Sequence, residues 1–188
     1  MTEVIRLIIS DWKRYLALHK KMNPLLFLVV LFHNPGMHFS VLYRTERYLL
    51  AHSLLPIKFL GAVLYPFYFI HTYYILDIDI SPRVEIGEGL YVHNRGIIFT
   101  DRARTGKNLT LIGPLTFGTK GVGLYDDSRG PILGNNVTVY AGARLVGPIK
   151  IGTNVYIGAN AVVVNDVDSN CIIGGIPARV LKKIKSRT

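Results

Sequence analysis

The chain carries six histidines, and only one of them, His93, lies beyond residue 71. One imidazole cannot supply the three-histidine set of a catalytic zinc centre, and no other cluster with metal-ligand spacing is visible. What a lone imidazole can do is accept and release a proton near neutral pH. By sequence alone it is as readily an ordinary surface or turn histidine. Two acids, Asp77 and Asp79, stand upstream of it, and Arg95 and Arg129 follow. The single cysteine, Cys171, cannot form an internal disulfide, which suits a reducing compartment. No metal is therefore expected, and chemistry has to come from acid–base groups held by a scaffold.

That scaffold is announced by a repeat. From Leu133 onward every sixth residue is apolar: Leu133, Val139, Leu145, Ile151, Ile157 and Val163. Four residues after each comes a second apolar residue: Val137, Ala143, Ile149, Val155, Ala161 and Val167. A period of six fits neither a helix at 3.6 nor an alternating strand. It fits a chain wound into a triangular prism, with a short strand on each side and a tight turn at each corner. Branched and small side chains fill the narrow interior, and Gly or Asn tolerates the corner geometry. The pattern extends back through Ile80 and Ile86, slips near His93, and resumes at Phe99, Thr105, Leu111 and Phe117. Between Phe117 and Leu133 it stops, and residues 119–131 read as a polar, Gly-rich loop. An ordinary sandwich does not hold so strict a phase.

The first 76 residues differ in kind. Residues 2–21 have apolar positions at helical spacing, and Leu25 to Phe32 is an unbroken apolar run too short to span a bilayer. Asn34-Pro35-Gly36 signals a helix start before a second amphipathic stretch, Met37 to Leu55. Pro56 to Leu76 is the most hydrophobic region, interrupted by Lys58, Pro66 and His71. The N-terminus does not resemble a signal peptide. Hydrophobic residues make up 49% of the chain, mean hydropathy is +0.30 and the formal charge is +10. Anionic partners are favoured, whether nucleotide phosphates, an acidic glycan or an anionic membrane surface, while no nucleic-acid reader motif is present. Three segments are expected. Residues 1–76 form a helical module that oligomerises and touches the membrane, 77–175 the prism with its loop, and 176–188 a basic tail.

The repeats, the loop and the ending Gly174-Gly175-Ile176-Pro177-Ala178-Arg179 together resemble the hexapeptide-repeat acetyltransferases, whose fold is a left-handed parallel β-helix. The stretches Asp79 to Phe99 and Leu115 to Gly121 resemble the serine O-acetyltransferase branch in particular. The resemblance implies a mainly β fold with an α-helical, hydrophobic N-terminal segment, acetyl-CoA as co-substrate, and a homotrimer or larger assembly with coenzyme A between adjacent prisms. It implies His93 as general base, with Asp79 orienting it and Asp77 as a possible substitute. Gly118 would donate its amide to the oxyanion. Thr119, Lys120, Ala141, Gly142, Ala143 and Ala159 would line the coenzyme groove, and Arg179 with Lys182 would meet its phosphates, although Lys182 and Lys183 read equally as a solvated tail. Arg95, Arg129 and loop Asp127 are candidate acceptor contacts.

Three departures from that branch bear on the acceptor. The acid that precedes the catalytic histidine is Val92 here, Arg-His-Pro after the loop has become Arg129-Gly130-Pro131, and the long helical domain is replaced by apolar, basic residues. An ammonium buried without its carboxylate is costly. The expectation is therefore O-acetylation of a bacterial polysaccharide or lipid-linked sugar, at the inner face of the cytoplasmic membrane. Resemblance to capsular and exopolysaccharide O-acetyltransferases points the same way. Serine O-acetylation, N-acetylation of a sugar nucleotide and a non-catalytic scaffold are the alternatives.

Overall fold

The computed structural model describes residues 2–18, 34–120 and 129–185. The six-residue repeat closes into a three-sided parallel β-helix, left-handed and preceded by helices. One face stacks β1 (Ile78–Ile80), β4 (Ile97–Phe99), β7 (Leu115–Gly118), β10 (Arg144–Val146) and β13 (Val162–Val163). The second stacks β2 (Glu85–Ile86), β5 (Arg104–Thr105), β8 (Ile132–Leu133) and β11 (Lys150–Ile151). The third stacks β3 (Tyr91–Val92), β6 (Thr110–Leu111), β9 (Thr138–Val139), β12 (Val155–Ile157), β14 (Cys171–Gly174) and β15 (Arg179–Lys183).

The inward positions are those the period names. Leu133, Val139, Leu145, Ile151, Ile157 and Val163 are all buried, as are Val137, Ala143, Ile149, Val155 and Ala161. Where the inward residue is aromatic on consecutive coils, Phe99 and Phe117 stack with ring centroids 3.9 Å apart. One corner is an asparagine ladder. Asn108, Asn136, Asn154 and Asn170 all adopt positive φ, and each side-chain amide donates to the next at 2.9–3.0 Å. The short polar side chain tolerates the left-handed conformation and satisfies its own hydrogen bonds along the stack.

The slip near His93 also has a structural basis. Ile78 pairs with Ile97 and Tyr91 with Thr110, whereas Ile97 pairs with Leu115, so the first coil is one residue longer than the next. The extra residue falls in the turn that carries His93.

Among the described residues the N-terminal helices are α1 (Thr2–Leu18), α2 (Pro35–Ala51) and α3 (Leu55–Phe69), the last running into a π-helical stretch, Ile70–Ile75. The expected second helix begins earlier and ends earlier than its apolar pattern suggested. The hydrophobic stretch stays helical through Pro66. The run Leu25 to Phe32 lies outside the described residues. Among the described residues no helix is long and apolar enough to cross a membrane.

The helices seat on the first coil and satisfy its edge. A terminal coil presents strand groups with no further coil to pair with, and buried backbone groups must find partners. Tyr68 Oη donates to Ile80 O at 2.5 Å and Tyr43 Oη to Val84 O at 2.6 Å. Arg44 donates to Ile86 O and Gly87 O, both at 2.6 Å. Asp11 accepts from Leu90 N at 2.8 Å, from Ser40 Oγ at 2.5 Å, and from Arg44 through both of its carboxylate oxygens at 3.0 and 3.2 Å. Asp11 and Arg44 are buried, so this pair is tenable only because its remaining donors and acceptors are filled. At the other end β15 pairs antiparallel with β14, so residues 179–183 form a strand where a free basic tail was expected.

Candidate active site

His93 leaves the end of β3, its N–H bonded to Leu111 O at 2.9 Å, and its side chain is exposed. The turn then closes at Gly96, whose φ is +77° and whose N–H donates to Asp77 O at 2.8 Å. A Cβ on Gly96 would stand 2.8 Å from the Pro114 ring, so the residue must be glycine both for its dihedral and for space.

The strand before His93 is clamped from the helical side. Tyr15 Oη, on α1, donates to Val92 O and accepts from Val92 N, both at 2.8 Å. The Tyr15 ring lies 4.6 Å from that of Tyr91. Gly36, at the start of α2, packs so closely on the Val92 carbonyl that a Cβ there would lie 2.8 Å from its carbon. Asn34 caps the helix by accepting from Gly36 N at 3.0 Å and Met37 N at 3.3 Å. The Asn-Pro-Gly signal is thus a docking device: cap, first-turn proline, and a glycine thin enough to meet the strand.

Among the described residues Asp79 makes no hydrogen bond to His93. Asp79 faces outward from β1 opposite Ile98, and among the described residues its carboxylate makes no hydrogen bond or ion pair. Burial, with a smaller contribution from Asp101, pushes this carboxyl above its ordinary range. The imidazole instead meets Tyr91: Nδ1 lies 3.1 Å from Tyr91 Oη and the two rings are near-parallel at 18°. The physical reason is strand geometry. The corner below the His93 turn is Asp77, whose carbonyl takes the turn's N–H groups, and Asp79 sits two residues, roughly 7 Å, farther along the strand.

The other expected residues divide. Gly118 ends β7 with open space where a side chain would stand, and its carbonyl accepts from Gly147 N at 2.9 Å. Thr119 is half-buried, and exposed Lys120 lies across Gly147. Ala141 and Gly142 are half-buried and Ala159 is exposed at turns. Ala143 does not belong with them: its side chain is fully buried in the prism, because it occupies an inward position of the repeat. Arg95 and Arg129 are exposed, as are Arg179 and Lys182 on β15. Asp127 lies outside the described residues. Sequence reasoning missed Tyr15 and Tyr91. No spacing rule links them, since Tyr15 is far from β3 in sequence. The glycine of Asn-Pro-Gly was the one available sign of a close contact.

Residues 130–165 match the bacterial transferase hexapeptide family, described as six repeats. The chain has the hexapeptide-repeat transferase fold. A serine acetyltransferase of Staphylococcus xylosus is 34% identical to this hexapeptide-repeat chain over 143 residues, which are 76% of the chain and 59% of that protein. A serine acetyltransferase of Synechococcus elongatus is 35% identical over 108 residues, 57% of the chain and 43% of the relative. The crystal structure of Neisseria gonorrhoeae serine acetyltransferase matches with a TM-score of 0.79 at 26% identity, covering 99% of this chain and 67% of that one. The hexapeptide-repeat chain thus spans less than two thirds of the length of the two curated relatives and 67% of the solved one. They are serine acetyltransferases, and none of them bears on a capsular or exopolysaccharide acceptor.

Proposed function

We propose that this protein is an acetyl-CoA-dependent O-acetyltransferase that works as a homotrimer, with serine as its first-ranked acceptor. The observation that carries the reading is an exposed imidazole, His93, on a hydrogen-bonded turn of a hexapeptide-repeat prism whose relatives are serine acetyltransferases. Neutral His93 would take the acceptor's hydroxyl proton as the oxygen attacks the thioester carbonyl. Gly118, with open space where a side chain would stand, is the candidate donor to the tetrahedral oxyanion, its amide turning from the β10 ladder to do so. Thr119, Lys120, Ala141, Gly142 and Ala159 would form a groove wall against a neighbouring copy, with Arg179 and Lys182 toward the coenzyme phosphates. Ala143 is left out because its side chain faces the prism interior.

Purified protein given acetyl-CoA and serine should release coenzyme A thiol, and His93→Asn should lower that rate by about 100-fold or more. Undiminished turnover in the His93 variant would reject the reading.

A glycan acceptor at the inner face of the cytoplasmic membrane is the second reading, and two observations favour it. Val92, buried beside His93, offers no carboxylate to an amino acid's ammonium. Along α3 and the π-helical stretch only Gly61, Tyr68 and Thr72 are buried, while Leu55, Phe59, Phe67 and Tyr74 are 61–79% exposed. An apolar surface of that extent on a chain of charge +10 suits an anionic lipid interface. No thiol release with serine, release with a membrane-derived glycan fraction, and co-flotation with phosphatidylglycerol vesicles would put this reading first.

A further inference from the structure

We propose that Tyr91 is the positioning residue of His93: its Oη accepts the Nδ1–H of the imidazole and fixes the tautomer whose Nε2 carries the free lone pair. This rests on His93 being the general base proposed above. A neutral imidazole has one N–H and one lone pair, and the hydrogen bond made by one nitrogen decides which is left for chemistry on the other. The Nδ1–Oη distance is 3.1 Å and the ring planes differ by 18°. Residues 91 and 93 are two apart at the end of a strand, so their side chains leave on the same side.

The phenol is itself immobilised. Tyr91 is buried, its ring packs on Tyr15 at 4.6 Å, and Tyr15 Oη holds both polar backbone groups of the intervening Val92. Burial pushes the phenol above its ordinary range, so it is a neutral hydroxyl with both a proton and lone pairs, and the acceptor role toward Nδ1–H is what the proposal assigns and the tautomer decides. The carboxylate expected in this role, Asp79, makes no hydrogen bond to the ring among the described residues. The imidazole's orientation therefore derives from the N-terminal helices by way of two packed tyrosines, and not from the acid on β1 of the same coil.

The test reads the tautomer directly, by long-range 1H–15N correlation of the imidazoles in the full-length protein at a pH where the rings are neutral. His93→Gln assigns the signal. Wild type should show a pyrrole-type Nδ1 and a pyridine-type Nε2 at His93, and Tyr91→Phe should mix or reverse them. Alongside, Tyr91→Phe should lower kcat by roughly tenfold with KM for acetyl-CoA unchanged, and leave the thermal midpoint unchanged because phenylalanine keeps the packing on Tyr15. A protonated Nε2 in wild type, or the same tautomer in both proteins, overturns the proposal. A tautomer change in a protein that transfers no acetyl group would keep it and reject the proposed function.

Discussion

Tyr15 shows how much one hydroxyl can hold. Its oxygen serves both polar groups of Val92 in a buried setting, on the strand that ends at His93. Removing it leaves an N–H and a carbonyl without partners, and an unmade buried hydrogen bond costs about 1–3 kcal/mol. Tyr15→Phe should therefore lower the urea midpoint by a corresponding amount with an unchanged m-value. The ring packing on Tyr91 survives the change, so the loss reports the hydroxyl alone. A midpoint equal to wild type would mean that water takes over both groups.

At the scale of elements, α2 is both clamp and liability. It supplies Tyr43, Arg44 and Arg47 to the edge of the first coil, with Arg47 reaching Pro82 O, Arg83 O and Val84 O at 3.0–3.2 Å. The same helix buries Glu46, whose Oε1 has no hydrogen-bond partner among the described residues. Burial raises this carboxyl above its ordinary range. The folded state then binds the proton more readily than the unfolded chain, so stability falls as pH rises from the ordinary carboxylate value through the raised one. Glu46→Gln should raise the thermal midpoint at pH 7, and the gain should vanish once the solution is acidic enough to protonate Glu46 in the unfolded chain too. A gain that persists in acid would point to packing rather than charge.

For the whole molecule, the two ends of the prism are treated differently. Helices cover the first coil, and an antiparallel strand, β15, closes the last face. Neither device covers the outer side of α3, where the exposed apolar side chains collect. The proposed trimer and the proposed lipid contact are separable there. Light scattering should give three times the 21.0 kDa of one chain in detergent-free buffer. A monomer at micromolar concentration would remove the shared coenzyme groove and with it the proposed assembly.

The period of six, the inward set from Leu133 to Val163 and the asparagine corners were all legible along the chain. Side-chain volume and allowed φ act locally, and a repeat writes them out once per turn. The one-residue slip at His93 was legible too, though not its meaning. Ala143 could have been placed correctly, since the repeat already assigned it to the interior. Only the tertiary structure decided what faces the imidazole. Tyr15 reaches β3 from a helix far away in sequence, and Tyr91, where Asp79 was expected, makes the hydrogen bond to His93; such contacts depend on how coils and helices stack, which no spacing in the sequence encodes.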